Sequence, residues 1–82
     1  MDANLTALNG AVERVIYKNP SNGYIVLELA LENNGGLVIV VGNLGDIGDG
    51  EKLSVTGSYI ESPKYGKQFK AQTCERMPPS TA

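Results

Sequence analysis

The sequence has no histidine, no tryptophan, one cysteine and one phenylalanine among its 82 residues. Without histidine there is no Ser–His–Asp triad and no Cys–His dyad. A lone Cys74 cannot supply the several Cys or His ligands of a zinc site. Nor can it close an internal disulfide, so cysteine usage implies no oxidising compartment. Its plain reading is a small strand residue. The longest apolar run is Leu37 to Val41, far below the ~20 residues of a membrane span. Met1-Asp2-Ala3-Asn4 carries neither the basic nor the apolar part of a signal peptide. These absences set the expectation of a soluble, cytoplasmic protein, or part of one, with no membrane partner.

Seven Lys and Arg stand against nine Asp and Glu, a net charge of −2. That balance does not describe a strongly basic nucleic-acid binder, but it leaves room for a local basic patch. A chain of this length makes one small domain of marginal stability, with a radius of gyration of roughly 12 Å.

The hydrophobic pattern is β throughout. Residues 8 to 17 are rich in β-branched and aromatic types, but their alternation slips at Glu13 and Arg14, where a β-bulge reconciles Val12 and Ile16 with Val15 and Tyr17. Asn19-Pro20-Ser21-Asn22-Gly23 concentrates turn formers. Tyr24 to Glu32 alternates cleanly, with Ile25, Leu27, Leu29 and Leu31 on one face. Asn33-Asn34-Gly35-Gly36 reads as a hairpin turn. Leu37 to Gly42 is apolar at every position before the glycine, which predicts cover on both faces. Asn43 to Gly50 is a loop, or one short helical turn, anchored by Leu44 and Ile47. Glu51 to Ile60 is a strand whose Gly57 marks a bend or a close backbone approach. A tight turn over Ser62 to Gly66 precedes a last strand, Gln68 to Glu75, with Phe69, Ala71 and Thr73 inward. Five strands with a bare face and free edges close most simply into a barrel. The expected fold is therefore all-β, a five-stranded OB-fold Greek-key barrel, with an SH3-like barrel as the alternative. Its expected extent is 9–76, with 1–8 an N-terminal extension and 77–82 a linker.

Two motifs fail their chemical tests. Gly45 to Gly50 has the first spacing of a Walker A loop, but Glu51 occupies the lysine position and no long helix follows. Asp46, Asp49 and Glu51 do not match the spacing of a calcium-binding loop. They read as a solvated acidic loop. No carboxylate pair stands at catalytic spacing, so no enzyme, catalytic residue, metal or cofactor is expected of this chain.

The basic residues are less evenly spread. Lys64, Lys67 and Lys70 fall around the turn between the fourth and fifth strands, with Tyr65 among them; Lys18 lies in the turn after the first strand. In an OB barrel the corresponding loops flank one binding face. Lys18 and Lys64 would converge there with Tyr65 and Tyr24. Lysines neutralise phosphates and aromatic rings stack on unpaired bases. The plainer alternative is solvated lysines and tyrosines packed at the barrel rim.

Three segments carry a resemblance to a known family. They are Gly10-Ala11-Val12-Glu13-Arg14-Val15-Ile16-Tyr17-Lys18-Asn19 with Asn22-Gly23-Tyr24-Ile25-Val26-Leu27, then Val40-Val41-Gly42-Asn43-Leu44. The third and most specific is Gly57-Ser58-Tyr59-Ile60-Glu61-Ser62-Pro63-Lys64-Tyr65-Gly66-Lys67-Gln68-Phe69-Lys70. Over about residues 10 to 75 the chain resembles the N-terminal OB domain of bacterial RecD-like DNA helicases, superfamily 1 relatives of the exodeoxyribonuclease V alpha chain. The resemblance implies an ATP-dependent helicase moving 5′ to 3′ on single-stranded DNA, active in DNA repair. ATP and magnesium would belong to motor domains of the same chain, which would follow the Pro78-Pro79 linker. It implies structural roles for Gly23, Gly42, Gly57 and Gly66 and a core role for Phe69. A weak single-stranded DNA contact would fall on Lys18, Tyr24, Lys64, Tyr65 and Lys67, with Arg14 beside them. The alternative is a protein-docking or interdomain scaffold that uses the same loops, or the face carrying Val26, with Ile60 exposed.

Overall fold

The computed structural model describes residues 5–32, 35–63 and 66–76. Five strands account for nearly all of them: β1 (Thr6–Asn19), β2 (Tyr24–Leu31), β3 (Leu37–Asn43), β4 (Lys52–Ser62) and β5 (Gly66–Arg76). They close in the order β1-β2-β3-β5-β4. The long β1 makes closure possible, because one part of it pairs with β4 and the rest with β2, both antiparallel. The barrel is sealed on its other side by parallel pairing of Val40 with Phe69 and Val41 with Lys70. This is the five-stranded Greek-key barrel expected from the hydrophobic pattern. Thr6 to Leu8, expected in an N-terminal extension, pair with Gly57 to Val55. The radius of gyration is 12.3 Å.

The slip at Glu13 is a bulge, and a second follows at Ile16: the β1–β2 register skips between Val12 and Arg14 and again between Val15 and Tyr17. Each extra residue bends the strand and raises its twist, which lets β1 serve two neighbours. A third irregularity lies opposite Thr56 and Gly57, where Gln72 is left over on β5. It corrects the expected inward set of the last strand. Phe69 and Ala71 point inward, but beyond the bulge the parity flips, so Thr73 is exposed and Cys74 packs against the core. Gly57 is required at that place, because a Cβ there would collide with the Lys70 carbonyl.

The core consists of Val12, Ile25, Leu27, Leu29, Val40, Ile47, Leu53, Val55, Phe69 and Ala71. Burial of each large side chain stabilises the barrel by roughly 1.5–3 kcal/mol before entropy is counted. Ile47 is the one core member from a loop, and at 1% exposure it plugs the barrel end between β3 and β4. Leu44 packs beside it, and no helix forms in that segment. Cover on both faces of β3 holds only in part. Val40 and Val41 are buried, Val38 and Ile39 half-buried, and Leu37 is 57% exposed.

The turn after β1 is built as its composition suggests. Asn19 and Asn22 accept the amides of Ser21 and Tyr24 on their side-chain oxygens, at 2.9 and 3.0 Å. Gly23, at φ +78°, donates its amide to the Asn19 carbonyl. Short polar side chains that bond locally, followed by a residue free to adopt positive φ, are what such a turn needs.

Candidate nucleic-acid interface

Strand register fixes which side chains share the outer face of β1, β2 and β3. Three rows follow from the pairing: Asn19, Tyr24 and Asn43; Tyr17, Val26 and Val41; Arg14, Glu28 and Ile39. The parallel seam extends the second row to Lys70 on β5. Tyr17, Tyr24, Val26, Ile39 and Val41 of these rows form the floor of a groove of about 630 Å³, lined also by Ile16, Ser62 and Gln68. The last two come from the β4–β5 hairpin. None of the described lining residues is charged. Tyr17, 51% exposed, lies against Tyr24 with ring centroids 6.5 Å apart and planes tilted by 57°. The groove therefore offers flat apolar and aromatic surface on which an uncharged planar group can stack.

Charges lie at its margins, and most are paired. The Arg14 guanidinium donates to Glu28 at 3.2 Å. Lys18 is 2.9 Å from Asp46 and lines a separate pocket with Asn19, Pro20, Gly23, Gly45 and Asp46. That hydrogen bond, and then the lysine's charge, hold the Asp46 carboxyl below its ordinary 3.8. Lys67 sits 4.8 Å above the Tyr59 ring, a cation–π contact, and Tyr59 in turn meets the edge of Phe69 at 5.1 Å. Lys70 is exposed and has no ion-pair partner among the described residues.

The expected site residues are thus distributed over several places. Tyr24 lines the groove; Arg14 borders it in the Ile39 row. Lys18 faces the β3–β4 loop. Lys67 lies on the other side of β5 from Gln68 and Lys70, with Tyr59. Lys64 and Tyr65 lie outside the described residues. The expected set lacked Tyr17 and Gln68, which line the groove, and Lys70, which shares its face. Tyr17 joins the outer face only because Ile16 bulges; counting back from the Asn19 turn to its partner Val26 would have found it. Gln68 and Lys70 were detectable from parity alone, since both alternate with the core residue Phe69.

The acidic loop has internal work. Asp49 accepts the Val15 amide beside the second bulge at 3.1 Å. Glu51 accepts the Gly48 amide at 2.9 Å and pairs with Arg76 at 3.1 Å. The Arg76 guanidinium also donates to the Asp46 carbonyl. Among the described residues, no group of three or more His, Cys, Asp or Glu comes together to hold a metal. Burial pushes the Cys74 thiol up from 9.0, so it stays protonated and unreactive at neutral pH.

A closed barrel of this strand order, with its groove across β2 and β3, defines an OB-fold domain. The chain belongs to the family of the OB-fold domain of the ATP-dependent DNA helicase YrrC, whose model matches residues 5–79. No curated protein sequence matches it. Among solved structures it is similar to a chain of the S. pombe Stn1–Ten1 complex, with a TM-score of 0.69, 18% identity and 92% of this chain covered. It spans 59% of that chain. It is also similar to the dimeric N-terminal domain of PriB from Thermoanaerobacter tencongensis, with a TM-score of 0.69, 14% identity, and 95% of this chain and 100% of that one covered. At these identities the likeness concerns the fold.

Proposed function

We propose that this domain is an accessory contact for single-stranded DNA within a RecD-like, ATP-dependent 5′–3′ helicase of the bacterial cytoplasm. ATP and magnesium belong to motor domains of the same protein. The observation that carries this reading is the apolar groove with Tyr17 and Tyr24 on the β2–β3 face, the face OB barrels use for oligonucleotides. Unpaired bases stack on the tyrosines, and Lys70, beside the groove in the Val41 row, meets a phosphate. Because Arg14 and Lys18 already have acidic partners, binding is weak and falls with salt.

Fluorescence anisotropy of a labelled short oligo-dT at low salt tests this. The Tyr17→Ala, Tyr24→Ala double variant is expected to lose about tenfold or more in affinity, since each stacked base contributes about 1–3 kcal/mol. A double variant that binds as the wild type does would exclude the groove as the DNA site.

A second reading has an observation of its own. Ile16, Leu37 and Ile60 are exposed, and neutralised charges beside an apolar groove also suit protein docking. If the domain docks the motor domains, it binds them in isolation through Ile16 and Ile60 while ignoring oligonucleotides.

A further inference from the structure

Gln68 is 8% exposed, the one polar residue that is buried among the described residues. Its side-chain amide makes no hydrogen bond with any described residue. No side-chain nitrogen or oxygen among the described residues is both sealed from solvent and unpaired, so this amide reaches solvent, and the opening it lines is the groove. Water satisfies the amide in the free domain, so a ligand that fills the apolar groove and displaces that water keeps its affinity only by replacing those hydrogen bonds. The backbone position of Gln68 is fixed: Ile60 lies opposite on β4, and Phe69, next in sequence, is anchored in the core.

We propose that Gln68 is a base-reading residue, hydrogen-bonding the edge of one unpaired base that lies in the groove. The inference rests on the single-stranded DNA reading above and adds a source of base preference to it. A Gln amide offers a donor beside an acceptor, and its complement is a base edge with the same pair. Adenine presents that pair on two edges, N6–H with N7 and N6–H with N1. Cytosine and thymine present it on the Watson–Crick edge, which is free only when the strand is unpaired. Stacking on Tyr17 and Tyr24 has no such directionality. The division of labour is therefore specific: the tyrosines supply affinity for any base, and Gln68 supplies discrimination.

The test compares labelled short homopolymers of dA, dC and dT with an abasic oligomer of equal length, against the wild-type 82-residue chain and Gln68→Met. Wild type is expected to prefer dA over the abasic oligomer by more than stacking alone provides. Gln68→Met should lose about fivefold or more for dA. It should lose little for the abasic oligomer and keep the same salt slope. A wild-type measurement guards against misfolding of the variant: the Gln68 side-chain NH2 resonances should shift on saturation with oligo-dA. An unchanged dA-to-abasic ratio in Gln68→Met, or an unmoved amide pair in saturated wild type, overturns the role of Gln68 alone. Absence of binding by wild type to every oligomer overturns the underlying DNA reading with it.

Discussion

The barrel end where the β1–β2 turn meets the β3–β4 loop differs sharply from the outer groove under the β4–β5 hairpin. At the first, polar groups answer one another within the chain. Lys18 holds Asp46, Asp49 caps Val15, and Glu51 meets both Gly48 and Arg76. The Asn43 side-chain amide donates to the Asn22 carbonyl, and Gly45 to the Gly23 carbonyl. On the groove face two polar side chains stand without such partners among the described residues. Lys70 has no ion pair among the described residues, and the Gln68 amide opens onto an apolar floor. A segment without regular structure must satisfy its backbone and charges locally. A binding face keeps groups in reserve for a ligand. Acidic residues near a lysine therefore distinguish a structural cation from a ligand-facing one better than net charge does.

The contrast can be broken most severely at the tied end. Ile47→Ala removes the plug and should destabilise the barrel by about 2–5 kcal/mol in urea unfolding. Oligonucleotide affinity below the transition should stay near wild type. Tyr17→Ala should do the reverse, with a change in stability of less than about 1 kcal/mol, because the ring is half exposed, and a loss of about tenfold in affinity. If both variants lose stability and binding together, the two regions are not separable.

A finer comparison sets lysine against lysine. Lys70→Ala should reduce the slope of log affinity against log salt by about 0.7, the value for one phosphate contact on a single strand. Lys18→Ala should change it less, since Asp46 already engages that ammonium. Asp46→Asn should then make Lys18 available and steepen the slope.

The smallest effect is on pH dependence. The folded Asp46 carboxyl titrates below its ordinary 3.8. Its contribution to stability is therefore complete above that value and lost as pH falls through the folded one. Between neutral pH and pH ~5 the Lys18–Asp46 pair should be unchanged, as read from the Asp46 carboxyl carbon shift.

Much of the barrel was legible because strand periodicity is local. Ile25 to Leu31 announced a buried face, Glu13 a bulge, and Gly57 the close approach that Lys70 makes. Ile47 and Leu44 stood out as apolar anchors in a polar loop. What stayed hidden depends on registers that local pattern does not set. The bulge at Gln72 exchanges Thr73 for Cys74 on the inner face, and the one at Ile16 brings Tyr17 to the outer face. The pairing of Lys18 with Asp46 joins residues brought together only by barrel closure, so a lysine that looked poised for phosphate is engaged within the chain.

The most direct test of the account is backbone and side-chain NMR of the labelled chain during titration with a short single-stranded oligonucleotide at low salt. The account predicts shifts concentrated on Tyr17, Tyr24, Val26, Ile39, Val41, Gln68 and Lys70, with Gly45, Asp46 and Asp49 nearly unmoved. Shifts centred on the β3–β4 loop, with the groove residues silent, would contradict it.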